Sequence, residues 1–202
     1  NIPYVCCSYD NQYGTLPPDS YASVSIADEE EACRAVTELY RCGHRRIAAL
    51  VSGTEDRSIS QLRYQGYVRA LAAHGLPLDP ALVIEAGSFD IRQSYLAMQQ
   101  HLLTGAQFTA LFAISDNMAI GAMRALREAG RRIPEDCSVI AIDGLTIADY
   151  INPTLTTLCQ PVEHMGRRSV EILLDMVEHR GGPIRETAHT TLRTGESVRD
   201  IS

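Results

Sequence analysis

The stretch Leu111–Gly144 constrains the fold of this chain more than any other part of its sequence. An apolar run, Leu111–Ile114, is followed by a helical pattern and then by a second apolar run, Ser138–Ile142. Neither run alternates apolar with polar residues, which is typical of strands that are buried on both faces. Two such strands joined by one helix form a parallel βαβ unit. The sequence therefore predicts an α/β fold with a parallel sheet at its centre.

Polar residues stand where these two predicted strands end. Ser115 and Asp116 follow the first strand, and Asp143 ends the second. Ligands of parallel α/β sheets bind outside the carboxyl ends of the strands, so these positions form a candidate binding site. One hypothesis makes Asp116 and Asp143 an acid/base pair of an enzyme. The simpler interpretation is that Asp116 caps the helix that begins at Asn117.

The same strand-helix pattern recurs on both sides of this stretch. Repeats of this kind at this spacing are typical of a doubly wound sheet. Apolar runs predict further strands at 2–7, 22–26, 47–51, 82–85, 155–160 and 188–193, and the run 109–113 leads into the central stretch. Helical patterns predict helices at 28–42, 59–74, 91–103 and 161–178.

Two arginines and one phenylalanine are candidates for ligand binding. Arg57 and Arg63 lie near the start of a predicted helix, where a positive charge opposes the helix dipole, so local stability does not explain them. The alternative for them is a surface ion pair with neighbouring acidic residues. Phe89 lies in a polar loop, where it can stack on a ligand ring or cover the following helix.

Composition excludes several classes of function. The chain of 202 residues has 45% apolar residues, enough for one large or two modest cores. All 18 basic residues are arginine, which excludes a phosphate-loop lysine or a Schiff-base lysine. The net charge of −7 argues against nucleic-acid binding by this segment alone. No apolar stretch approaches the roughly 20 residues of a membrane span, and no signal peptide is recognisable.

The six cysteines are scattered, with no CxxC pair and no His/Cys cluster. This spacing supports neither a zinc site nor a redox motif, and we expect no metal and no cofactor. Most of these cysteines lie in apolar runs, which favours buried, reduced thiols and a cytoplasmic protein.

Several sequence blocks in order resemble the effector-binding core of the lactose/galactose repressor family of bacterial transcription regulators. The blocks are GHRRIAAL (43–50), SQLRYQGYVRAL (60–71), SDNMAIGAMRALREAG (115–130), RIPEDCSVIAIDG (132–144) and NPTLTTLCQPVEHMGRRSVEILLD (152–175). The resemblance implies a fold like the periplasmic sugar-binding proteins, with two doubly wound parallel-sheet subdomains, three strand crossovers and a small ligand in the cleft.

The resemblance also implies the domain boundaries. The C-terminal, effector-binding subdomain would comprise 26–159 and 188–202, and the N-terminal subdomain would be represented only in part, by 1–25 and 160–187. Its first strands and a DNA-reading helix-turn-helix are expected upstream of Asn1.

The family's ligand contacts carry over where the motifs match. Arg63 falls on an arginine that holds a ligand hydroxyl or carboxylate, and Asp143 on the aspartate after a buried strand. Phe89 falls on an aromatic platform and Gln160 on a crossover.

Other positions depart from the family pattern. Ser115 replaces the asparagine of some sugar-binding members, and Arg57 matches an arginine of purine-binding members. Ser8 stands where other members carry aspartate, and Ile26 and Ala27 replace an Asp-Asn pair at the first crossover. The ligand site is therefore not a copy of that of any subgroup.

The favoured hypothesis is the effector-sensing domain of a transcription repressor. Its partners would be a sugar, phosphosugar or purine-class effector, a second copy in a homodimer, and operator DNA reached only through an upstream domain. The apolar stripe of the long predicted helix Pro161–Glu178, formed by Val162, Met165, Ser169, Ile172, Leu173 and Met176, would be partly uncovered in the incomplete subdomain and would favour association. Two alternatives stay open: a periplasmic sugar-binding protein of a transporter, and the enzyme described above.

Overall fold

The chain folds as two compact units. The computed structural model describes residues 2–9, 16–17, 20–54 and 59–202. The smaller unit contains the described residues up to Ala27 together with Gln160–Thr191, and the larger unit contains Asp28–Cys159 and Leu192–Ser202. The chain therefore passes from one unit to the other after Ala27, after Cys159 and after Thr191.

The elements alternate along the chain as the sequence predicts. Within the described residues the strands are β1 (Val5–Cys7), β2 (Ala22–Ile26), β3 (Ile47–Val51), β4 (Val83–Glu85), β5 (Ala110–Ala113), β6 (Ser138–Asp143), β7 (Thr156–Cys159), β8 (Arg185–Ala188) and β9 (Thr191–Arg193). The α-helices are α1 (Asp28–Arg41), α2 (Ile59–Ala73), α3 (Ile91–Leu103), α4 (Asp116–Glu128) and α5 (Val162–Val177).

The larger unit is built on a six-stranded sheet with the order β4-β3-β5-β6-β7-β9. All neighbours from β4 to β7 pair in parallel. Every residue of β3 and β5 is buried, as expected for central strands that carry helices on both faces. The predicted α/β fold with doubly wound parallel sheets is thereby confirmed.

Two glycines let the helices of the larger unit pack at close range. A Cβ atom added to Gly66 of α2 would lie 2.7 Å from the Cβ of Ala32 on α1. One added to Gly121 of α4 would lie 2.9 Å from the backbone nitrogen of Tyr95 on α3. Both distances are shorter than real Cβ contacts, so only glycine allows these backbones to approach so closely.

The segment 195–202 fastens the amino-terminal ends of these strands. The backbone N–H of Val139 donates to the Ser197 carbonyl at 2.7 Å, and the Ser197 hydroxyl donates back to the Val139 carbonyl at 2.6 Å. His44, which is 1% exposed, contacts the hydroxyls of Thr109 and Ser138 at 3.0 and 2.9 Å. The Ser138 hydroxyl also accepts the Arg199 N–H. A buried histidine thus joins two strands to the last segment.

The smaller unit contains a three-stranded parallel sheet with the order β1-β2-β8. Helix α5 packs against β1 and β2 with Met165, Ser169 and Ile172 buried. Its predicted stripe is wrong at Val162, which is 62% exposed at the first helical position. Leu173 and Met176 are half-buried.

Three predicted strands differ from the observed ones. The single strand predicted at 188–193 is wrong, because the chain changes units there: β8 joins the smaller sheet and β9 joins the larger one. The first strand begins only at Val5, and Leu82 belongs to the 3-10 turn Pro80–Leu82 that precedes β4. Apolar content alone does not distinguish one strand from two short strands.

Helices of membrane-spanning length and apolarity are absent from the described parts of the chain.

Candidate functional site

A buried arginine lies where the central strands of the larger unit end. Arg63 belongs to the second turn of α2, and its side chain is only 3% exposed. Ser60 ties the start of α2 to the end of β3, because its hydroxyl accepts the N–H groups of Ser52 and Gly53 and donates to the Gly53 carbonyl. This local network sets the direction in which α2 leaves β3, and with it the position of the guanidinium.

Arg63 joins three parts of the larger unit. Its Nε donates to Oδ1 of Asp28 at 2.8 Å, and its Nη1 donates to Oδ1 of Asp143 at 3.2 Å. Nη1 also donates to the Ile114 carbonyl at the end of β5. Within the described residues Nη2 makes no hydrogen bond. One edge of the guanidinium is therefore available to a ligand, while the other is fixed by the protein.

Electrostatics keep this arginine charged. Burial by itself disfavours the guanidinium cation, but the carboxylates of Asp28 and Asp143 outweigh it and hold the pKa of Arg63 above its ordinary value. A buried charge of this kind requires such partners, because an unpaired one would be very costly.

Asp143 is the accessible member of this group. Its side chain is 23% exposed, against 5% for Asp28. Asp143 also has a φ of +144°, a strained backbone conformation for a residue with a side chain, and Gly144 follows with a φ of +78°. Strained residues of this kind occur preferentially at functional sites, where the surroundings hold them in place.

The interpretation of Asp116 as the cap of α4 is wrong. The N-cap is Ser115, whose hydroxyl oxygen accepts the Met118 N–H at 3.3 Å. Asp116 is fully buried, and its carboxylate accepts the Leu145 N–H at 2.7 Å and the Thr157 hydroxyl at 2.6 Å. Burial raises the pKa of Asp116, against the effect of these two hydrogen bonds. Asp116 therefore holds the loop that follows Asp143, and it offers no surface for acid/base chemistry on a ligand.

The other predicted ligand residues of the larger unit lie at separate places. Ser115 is 4% exposed and is used by its helix. Phe89 is 37% exposed in the turn between β4, the edge strand, and α3. Arg57 lies outside the described residues.

Ser8 and Gln160 meet within the smaller unit. The Ser8 hydroxyl donates to Oε1 of Gln160 at 3.1 Å, and Ser8 has a φ of +63° just after β1. A strained residue thus follows a parallel strand in this unit as well.

Sequence reasoning did not identify two residues of the larger unit's site. The sequence predicts Asp28 only as the start of a helix, although it is 6% exposed and is the closest carboxylate partner of Arg63. Thr157 carried no signal, because a threonine in a strand is ordinary. The run of four acidic residues from Asp28 to Glu31 was the available hint for the first. No group of three or more His, Cys, Asp or Glu side chains suited to a metal ion occurs in the described ranges.

Comparisons with known proteins agree with this geometry. The family model described as periplasmic binding protein-like domain matches residues 36–198. The HTH-type transcriptional regulator CelR of Thermobifida fusca is 35% identical over 197 residues, which cover 97% of this chain and 56% of that protein. The chain therefore spans about half the length of this curated relative.

Solved structures give the same result. A transcriptional regulator CelR–cellobiose complex matches with a TM-score of 0.85 and 33% identity, over 96% of this chain and 58% of that one. A transcriptional regulator of the LacI family from Sanguibacter keddieii matches with a TM-score of 0.88 and 30% identity, over 96% of this chain and 73% of that one.

Proposed function

This chain belongs to the periplasmic binding protein-like domain family and, within it, to the LacI family of transcriptional regulators, and from that premise we propose that it is the effector-sensing domain of a bacterial transcription repressor. The regulators reported above support this over a transporter's binding protein, and they also make an enzyme the weaker alternative. A repressor acts on DNA, so we place the protein in the cytoplasm, where reduced thiols are expected. None of the six cysteines forms a disulfide, and Cys137 is the one that is buried as expected.

One observation carries the proposal for ligand binding: the buried Arg63 presents one edge of its guanidinium beside the accessible carboxylate of Asp143. A carboxylate accepts hydrogen bonds and a guanidinium donates them. A pair of neighbouring ligand hydroxyls could therefore donate to Asp143 with one oxygen and accept from Arg63 with the other. The CelR complex with cellobiose supports a sugar-like ligand of this kind.

The remaining predicted contacts complete the proposal. Phe89 would stack on the apolar face of a ligand ring. Ser115 and Arg57 in the larger unit, and Ser8 and Gln160 in the smaller one, stay predicted contacts.

Control of DNA binding would begin at the loop after Asp143. Gly144 and Leu145 follow directly, and the buried Asp116 holds the Leu145 N–H. Arg193 donates to the Leu145 carbonyl at 2.9 Å and to Asp149 at 3.0 Å. A ligand that pulls on Asp143 therefore acts on a loop with defined partners. We propose that this change is passed through a homodimer to a DNA-binding segment upstream of this chain.

The test is ligand binding by the full natural protein and by Asp143→Asn. A panel of free sugars, phosphosugars, purines and nucleosides is screened by thermal stabilisation, because a ligand at about 100 times its dissociation constant adds roughly 2.7 kcal/mol of stability. Hydrogen bonds to charged groups contribute about 1.5–3 kcal/mol each, so Asp143→Asn should raise the dissociation constant of the ligand roughly tenfold to a hundredfold.

The matched control is Asp175→Asn. It is the same chemical change at a carboxylate that is 47% exposed and pairs with Arg180, away from the loop after Asp143. We expect this variant to bind the ligand like the original protein. If Asp143→Asn binds the ligand equally well too, the site is elsewhere. The affinity of the full natural protein for DNA is then measured with and without the ligand, on DNA taken from upstream of the gene that encodes it. If the ligand does not change this affinity, the proposed role in regulation is wrong.

A further inference from the structure

The loop 144–149, which follows Asp143, is held by two side chains from outside it. The Leu145 N–H donates to the carboxylate of Asp116 at 2.7 Å, and the Leu145 carbonyl accepts Nη2 of Arg193 at 2.9 Å. The Asp149 carboxylate accepts Nη1 of the same arginine at 3.0 Å. Between these two acceptors lies the 3-10 turn Thr146–Asp149. Arg193 therefore bridges both ends of a compact turn.

The two side chains hold the loop in different ways. Asp116 is fully buried and also accepts the Thr157 hydroxyl at 2.6 Å, so it is a fixed anchor. Arg193 has a side chain that is 29% exposed, and both of its terminal nitrogens donate to the loop. Its buried Nε has no acceptor within the described residues. In that part of the chain, the guanidinium is thus bonded to the loop alone, and it follows the loop when the loop moves.

Arg193 lies where the chain changes units. It is the last residue of β9, Thr191–Arg193, and it stands two positions after Thr191, at which the segment of the smaller unit ends. In the larger sheet β9 comes last in the strand order, with β7 as its neighbour. One side chain therefore connects the loop after Asp143 to the strand through which the chain leaves the smaller unit.

Stability alone does not explain this arginine. The ion pair of Arg193 with Asp149, whose side chain is 48% exposed, contributes little to folding. A β-branched residue would suit a strand better, and a buried Nε without an acceptor is unfavourable. Arg193, Leu145 and Asp149 also lie outside the sequence blocks that resemble the repressor family. The bridge is therefore a feature of this chain and not of those motifs.

We infer that Arg193 is a positioning residue that couples the loop 144–149 to the chain's third passage between its units, and that it sets how strongly the effector changes the affinity for DNA. This inference rests on the proposed function, because it concerns the regulation exerted by the same site. Arg193 acts without touching the effector. Its guanidinium is a rigid fork that holds the Leu145 carbonyl and the Asp149 carboxylate at once, so a loop displaced by an effector on Asp143 displaces β9 with it.

The experiment separates effector binding from its effect on DNA binding. It uses the full natural protein and, as the probe, the first compound of the panel above that stabilises it, with cellobiose tested first. The response is the ratio of the dissociation constants for DNA from upstream of the gene, measured with and without a saturating concentration of the probe. Such ratios are typically about 5–150-fold. The DNA must change the affinity for the probe by the same factor, so the ratio is measured in both directions.

Arg193→Gln should remove the response and keep the binding of the probe. Glutamine cannot bridge the two acceptors, so the ratio should fall to within about twofold of 1. Without DNA, the dissociation constant of the probe should rise no more than about threefold, because the hydrogen bond between Arg63 and Asp143 is untouched. Arg193→Lys keeps the positive charge but replaces the fork by one ammonium group, and it should lose the response as well.

Two further variants serve as controls. Arg132→Gln removes an arginine that also donates through two nitrogens to an aspartate of the larger unit, Asp136, at 2.9 and 2.8 Å. Its response should equal that of the original protein. Asp149→Ala removes one acceptor of Arg193, and adding it to Arg193→Gln should cause no further loss, because both changes break the same bridge. Urea unfolding verifies the fold of each variant, and Arg193→Lys carries the test if Arg193→Gln does not fold.

The outcomes separate the two proposals. A response in Arg193→Gln or Arg193→Lys that stays within about twofold of the original overturns the inference and leaves an effector-sensing domain in place. An affinity for the probe that falls about tenfold or more, with the response unchanged, assigns Arg193 to the ligand site and also overturns the inference. Additive losses in the double variant overturn it too, since the two residues would then act separately. If no compound of the panel changes the DNA affinity of the original protein, the proposed function itself is contradicted, and the inference with it.

Discussion

Gly144 connects the candidate site to the strand beside it, and it allows a sharp test of the packing there. A Cβ atom added to Gly144 would lie 2.5 Å from the Cα of Cys159 and 2.6 Å from its Cβ. Gly130 has nearly the same backbone conformation, with a φ of +79° against +78°, but no atom lies within 4 Å of its added Cβ. The two positions thus share the same backbone conformation and differ in the space around them.

This difference sets the expected magnitudes. Placing alanine in the left-handed region costs about 1–2 kcal/mol at either position. Only Gly144→Ala also forces a carbon atom against a backbone, which adds about 1–3 kcal/mol of overpacking. Cys159 cannot easily move away, because it pairs with Asp143 in the register of β6 and β7. We therefore expect a loss of about 1–2 kcal/mol for Gly130→Ala and about 2–5 kcal/mol for Gly144→Ala.

The assay is urea unfolding followed by circular dichroism, with both variants and the original protein measured side by side. The same samples are titrated with whichever effector the screen identifies, and Gly144→Ala should bind it more weakly because Asp143 precedes the altered residue. Equal losses of stability in the two variants would refute the reasoning, since they would show that the space beside Gly144 is not filled as the structure has it.

Further predictions concern the buried charges, the buried histidine and the thiols. Arg63→Ala leaves buried carboxylates without their partner, so the free energy of unfolding measured in urea should fall by about 3–5 kcal/mol. Arg124→Ala changes a side chain that is 71% exposed and should lower it by no more than about 1 kcal/mol. Similar losses in the two variants would show that the buried network around Arg63 is not formed. Burial lowers the pKa of His44 below its ordinary 6.5, so the contribution of His44 to stability should be full above pH 6.5 and fall as the pH drops below it. His44→Asn should lose this part of the pH dependence. If the free energy of unfolding of the variant changes with pH as in the original protein, other groups cause the dependence. Burial raises the pKa of the Cys137 thiol to about 12, so a thiol reagent at pH 8 should modify the exposed Cys7 in the native protein and Cys137 only after unfolding. The labelled residues are identified by mass spectrometry. Rapid labelling of Cys137 in the native protein would contradict its burial.

The sequence predicted the fold well because the central strands of a parallel sheet have a strong pattern. Runs such as Ile47–Val51 and Ala110–Ala113 are apolar without alternation and turned out to be buried throughout. The pattern failed near residues 185–193, where two short strands belong to different sheets. Strand identity there is decided by tertiary pairing, which composition does not encode.

The sequence predicted where the candidate site lies, but not which residues pair with one another there. The strand ends and the family motifs identified Arg63 and Asp143 as candidates, and in the structure Arg63 donates a hydrogen bond to Asp143. Nothing in the sequence distinguished Asp116 as a support for the loop from Asp116 as a helix cap, because both roles suit an aspartate after a strand. The partnership of Asp28 with Arg63 spans 35 residues, a distance at which no local pattern operates.

The chain passes three times between its units, and this sets the order in which the two units can be completed during synthesis. The larger unit needs Leu192 and Arg193 of β9 and the segment 195–202, whose Ser197 bonds to Val139 in the larger sheet. These residues are synthesised only after Gln160–Thr191, which completes the smaller unit. A ribosome that pauses before Leu192 would therefore hold a nascent chain in which the smaller unit's own segments are already made, while the larger sheet still lacks the residues that close it.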